Sequence, residues 1–73
     1  MRIEQLLELL RAAPFEPFDL IMPNGERLRV PHQDFAWVMP DRRTVVVAIN
    51  HGVARLVNWA LVMGLEKPSA SGT

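Results

Sequence analysis

The sequence predicts a single α+β domain, an amino-terminal helix followed by a small, bent five-stranded antiparallel sheet or barrel. Three observations lead to this. Apolar residues recur at helical spacing up to Pro14, and a Pro-Asn-Gly turn then joins two short alternating segments. After these come several apolar, β-branched runs, each bounded by turn residues.

The helix comes first. In "RIEQLLELLRAA", Ile3, Leu6, Leu7, Leu10 and Ala13 follow the three-four spacing, while Glu4, Glu8 and Arg11 line the other side. Glu4 near the start and Arg11 near the end both suit the helix dipole. Pro14 ends the element, because the residue before a proline is pushed out of the helical region. So short a helix is marginal alone and must dock on something.

The next stretch, "PFEPF", is read as a rigid joint. Pro14 and Pro17 fix their own φ angles, and Phe15 and Phe18 anchor the helix to the first strand. Its PxxP spacing also occurs in proline-rich ligands, but those lie in long polar tracts, whereas this one is flanked by packed elements.

In "DLIMPNGERLRV", proline, asparagine and glycine stand at the second, third and fourth positions of a type I turn, with Gly25 left-handed. That loop pairs Met22 with Glu26, Leu20 with Leu28 and Phe18 with Val30. One face then carries Phe18, Leu20, Met22, Leu28 and Val30. The other sets Asp19 opposite Arg29 and Ile21 opposite Arg27. A two-residue loop would scatter charge over both faces, so pattern and turn chemistry agree.

Beyond Pro31, "HQDF" breaks the regularity and "AWVM" resumes an extended run. "PDRR" is a turn. "TVVVAI" is apolar on both faces, with Val45, Val47 and Ile49 on one and Val46 and Ala48 on the other. "NHG" turns the chain at His51, and "VARLV" and "ALVMGLE" close the domain on either side of a break at Asn58-Trp59. Residues 1–67 are expected to form the domain and the polar residues 68–73 a disordered tail.

Composition narrows the functional classes. Of 73 residues, 49% are apolar, eight basic residues balance eight acidic ones, and there is no cysteine. Disulfides and thiolate zinc sites are excluded, and two histidines alone do not build a metal site. Balanced charge disfavours nonspecific nucleic-acid binding driven by a cationic field. No apolar run approaches the roughly 20 residues of a membrane span, and the acid-containing start does not read as a signal peptide. A cytoplasmic protein without membrane contact, metal or other cofactor is expected.

No nucleophile–base pair, carboxylate pair or phosphate-cradling glycine run is visible, so no catalytic residue is assigned and an enzyme is not expected. His32 and Asp34 sit two apart without a third partner. For RNA, Arg27 projects from the second strand, Arg42 and Arg43 sit at a loop tip, and Phe35 and Trp59 are aromatic rings able to stack bases. The alternative places the same arginines in a self-neutralised surface and the aromatics in the core. Association is favoured by the two apolar faces of residues 44–49: one must be covered, by the helix or by another chain. The expected function is a non-enzymatic module that self-associates. The alternative is a protein–protein adaptor binding through its helix or an exposed strand edge.

Two resemblances bear on this. The leucine-rich start, the joint of Pro14, Phe15, Pro17 and Phe18, the Asn24-Gly25 turn, and Val30 with His32 resemble a set of short uncharacterised bacterial proteins to which no activity is attached. The order of helix and bent strands, with "DLIMPNGERLRV" as first hairpin, is similar to that of Sm-like (Hfq-type) domains and to small SH3-like barrels. Asp34-Phe35 and Asn58-Trp59 stand where two loops of the Sm-like family hold RNA. Val30 stands where a glycine is usual, and Asn58-Trp59 replaces the Lys-His pair of the bacterial members. The resemblance implies a homo-oligomeric ring built edge to edge by the last two strands, with Val57, Leu61, Val62 and Met63 at the subunit interface and RNA at the two loops.

Overall fold

The computed structural model describes residues 2–50 and 52–67. His51 and the expected tail at 68–73 lie outside the described residues. The described residues form one helix, α1 (Ile3–Arg11), and six strands: β1 (Phe18–Ile21), β2 (Arg27–Val30), β3 (Ala36–Val38), β4 (Thr44–Asn50), β5 (Val53–Asn58) and β6 (Gly64–Glu66). These form two three-stranded antiparallel sheets, in the orders β2-β1-β6 and β3-β4-β5. The α+β class is as expected, but a single five-stranded sheet or barrel is not what the chain forms.

The reason lies in two interruptions. Pro31 lacks an N–H, and Gln33–Phe35 coil into a 3-10 turn, so β2 does not run on into β3. A second 3-10 turn at Trp59–Leu61 separates β5 from β6 and sends β6 back to β1. The run "ALVMGLE" is therefore part turn and part strand.

The first hairpin has the register that its turn chemistry dictates. Phe18 pairs with Val30, Asp19 with Arg29, Leu20 with Leu28 and Ile21 with Arg27. The Met22 N–H donates to the Glu26 carbonyl at 2.9 Å, and Gly25, at φ +85°, donates to the Met22 carbonyl at 2.9 Å. Asn24 Oδ1 accepts from the Glu26 N–H at 2.8 Å, which fixes the loop from its side chain.

The hairpin's apolar face becomes the core. Phe18, Leu20, Leu28 and Val30 are buried together with Val45, Val47, Val57 and Trp59, and α1 contributes Ile3 and Leu6. The helix stops at Arg11, and Ala12 is already extended, so Ala13 is exposed rather than part of the helical face. The Ala13–Pro14 peptide is cis. Phe15 packs on Phe18 with ring centroids 5.9 Å apart, so the proline-rich joint pins the helix with an aromatic pair.

Asp19 is only 3% exposed although it lies on the hairpin's polar face. Its strand is central, flanked by β2 and β6, and two guanidiniums close over it. Arg29 Nε donates to Oδ1 and Arg27 Nε to Oδ2, at 2.5 and 3.4 Å, while Arg27 also pairs with Glu66 across the sheet. The carboxylate thus loses water without losing partners.

Candidate functional site

Strand alternation gives the second sheet an inner face on the core and an outer face of different composition. Val45, Val47 and Val57 point inward and are buried. On the outer side, register places Trp37 beside Val46 and Val46 beside Leu56, one apolar row across all three strands. Thr44, Ala48, Ala54 and Asn58 extend this face above and below, so its strand positions are uncharged, while Asp41 and Arg43 border it beside Thr44 and Leu56.

Nothing in the described chain covers this row. Trp37 is 47% exposed and Leu56 75%. The helix covers part of the core instead, and its Glu4 carboxylate accepts from Arg42 at 3.4 Å at the β3–β4 turn. Of the two ways to cover a doubly apolar β4, the fold does not use the helix for the outer face. At the end of the β4–β5 hairpin the register shifts between Ala48 and Asn50. Beside this shift Ile49 and Val53 are both exposed.

The turn entering β4 is well fixed. Asp41 accepts from the Arg43 and Thr44 N–H groups at 2.8 and 3.0 Å and from the Thr44 hydroxyl at 2.9 Å. These bonds, those of the backbone first, hold its carboxyl below the usual carboxylate range. Arg42 at φ +57° lets the turn close between them. On the β5 side, Glu26 is likewise lowered, first by its hydrogen bond from Arg55.

The residues singled out for RNA are brought together only in part. Arg42, Arg43, Asn58 and Trp59 line one shallow cleft beside Ala60. Trp59, however, is 6% exposed: the 3-10 turn that begins there rotates its ring into the core, which removes it as a stacking platform. Asn58 Oδ1 accepts from the Ala60 N–H at 2.9 Å and caps that turn. Arg27 and Phe35 line a separate groove, and Asp34 is exposed on the first 3-10 turn beside His32, whose ring lies 5.7 Å from that of Phe35.

The interface residues implied by the Sm-like resemblance divide in the same way. Val57 and Val62 are core residues, whereas Leu61 and Met63 are exposed. Val62 is not in a strand: its N–H donates to the Trp59 carbonyl at 3.0 Å and closes the turn. Trp37 and Leu56 were not singled out from the sequence. Their alternation was legible, but which face of the sheet the core would take was not.

Among the described residues no group of three or more metal-ligating side chains converges, and no helix is long and apolar enough to cross a membrane. Comparison with protein-family models, with curated proteins and with solved structures found no match to this chain.

Proposed function

We propose that this chain is a non-enzymatic interaction module that self-associates, two copies packing the outer faces of their β3-β4-β5 sheets against each other. The observation that carries this is the uncharged row Trp37–Val46–Leu56, exposed at Trp37 and Leu56 and half-buried at Val46 between them. A surface that meets its own copy about a two-fold axis must be self-complementary. Its strand positions carry no charge and meet their own copies without like-charge contact, Asp41 and Arg43 lying at the border, and sheets stack face to face at about 10 Å. Size supports the same reading, since a domain of this length buries only about 60% of its unfolded surface and small domains commonly gain stability by oligomerisation.

RNA binding has narrower support: Arg42, Arg43 and Asn58 share a cleft, but Arg42 is engaged by Glu4 and the nearest ring, Trp59, belongs to the core.

The two tryptophans make the test direct. Trp37 lies in the proposed interface and Trp59 in the core of each subunit. On dilution, acrylamide quenching should rise as Trp37 is uncovered, and a Trp37→Phe variant should lose that rise. Quenching that stays constant over the whole concentration range would refute the interface.

A further inference from the structure

The turn that sets the register of the first hairpin also carries the chain's one asparagine–glycine pair. Asn24 precedes Gly25, whereas Asn50 precedes His51 and Asn58 precedes Trp59. An asparagine side-chain amide is open to attack by the backbone nitrogen that follows it, and a side chain on that following residue hinders the approach. Glycine has none. A Cβ added at Gly25 would meet nothing within 4 Å, and Asn24, Gly25 and Glu26 are all exposed, so water reaches the pair freely.

The reaction needs only water and base. The Gly25 nitrogen gives its proton to base and attacks Asn24 Cγ; a C–N bond forms, the Cγ–Nδ2 bond breaks, and Nδ2 leaves as ammonia. Water then opens the resulting cyclic imide. Opening at Cγ leaves an aspartate, and opening at the main-chain carbonyl leaves an isoaspartate, whose backbone runs through the side-chain carbons.

In the folded turn both reacting groups are engaged. Asn24 Oδ1 accepts from the Glu26 N–H at 2.8 Å, which fixes the amide, and the Gly25 N–H donates to the Met22 carbonyl at 2.9 Å, which keeps the proton on the attacking nitrogen. Glu26 is itself held by the Met22 N–H and by Arg55 of β5. Cyclisation breaks these bonds, so it proceeds from the opened turn, at a rate set by the population of that open form.

We propose that Asn24–Gly25 is a latent modification site, silent while the hairpin is closed and converted to aspartate and isoaspartate when it opens, the isoaspartate then preventing closure. The aspartate product keeps a side-chain oxygen to accept from the Glu26 N–H, and it refolds. Isoaspartate adds a carbon to the main chain of the loop whose length aligns Phe18 with Val30 and Leu20 with Leu28. The loop then no longer keeps both turn bonds in that register. A transient opening becomes a permanent loss of the hairpin's apolar face. Neither residue lies in the Trp37–Leu56 face, so the modification does not depend on self-association.

The experiment incubates the full chain at mildly alkaline pH, in buffer and in denaturing guanidinium chloride, and follows each asparagine by peptide mapping with mass spectrometry. Asn24 should convert about tenfold or more slowly in buffer than in denaturant, while Asn50 and Asn58 lag behind it in denaturant. The isoaspartate fraction, isolated and returned to buffer, should have a lowered denaturation midpoint by circular dichroism. Asn24→Asp should unfold near the parent's midpoint, which separates the added charge from the rerouted backbone. Equal rates at Asn24 in buffer and denaturant, conversion of Asn50 or Asn58 as fast as Asn24 in denaturant, or an isoaspartate fraction as stable as the parent would each overturn the proposal.

Discussion

Replacing Leu56 with aspartate should separate the subunits and leave each one folded. Leu56 is 75% exposed, so the change neither opens a cavity nor buries a charge in the isolated chain. In the assembly the same carboxylate would be desolvated near its symmetry mate, among strand positions that otherwise carry no charge. Like charges juxtaposed at an interface cost several kcal/mol, so a fall in association constant of about 100-fold or more is expected. Leu56→Ala should give a smaller loss, because it removes apolar area without adding repulsion. Sedimentation velocity on the variants, with circular dichroism as the check on folding, measures both effects. An assembly state unchanged by the aspartate would place the interface elsewhere.

Phe18→Ala should have the largest effect on stability. Its side chain is fully buried, packs on Phe15, and lies where the first strand pair meets the helix. Truncating a buried phenylalanine costs about 3–5 kcal/mol, comparable with the whole stability of many small domains. The variant should be largely unfolded at room temperature by circular dichroism, while Phe18→Leu, which fills most of the space, should remain folded with a lowered denaturation midpoint. A Phe18→Ala protein that unfolds at the same denaturant concentration as the parent would mean that the core does not close on this residue.

The parts of the fold legible in the sequence were those set by local chemistry. Pro23, Asn24 and Gly25 determine the turn type, the turn determines the register, and the register determines which of residues 18–30 are buried. The Asp19–Arg29 pair comes from the same step. Long-range closure was not legible. Arg27 is also bound to Glu66, and Asp19 is buried, only because β6 returns to the far side of β1.

Irregularity set the other limit. Alternation places Ile49 with the buried Val45 and Val47, but beside the register shift at Ala48–Asn50 it is exposed. Asn58-Trp59 could be read as a break, yet not the sense in which the 3-10 turn rotates Trp59 inward. For the same reason the sequence suggests a strand edge at Val62, whereas its N–H closes a turn. The apolar surplus that argued for a partner was visible in the composition. Its location on Trp37 and Leu56 depended on which side of β4 the first hairpin and the helix would occupy.

The central claim is that the chain assembles through its uncovered sheet face, and the most direct test is its solution mass by light scattering on a sizing column across a wide concentration range. The account predicts a mass above that of one chain, rising with concentration toward twice that value. A mass of one chain at every concentration would contradict it.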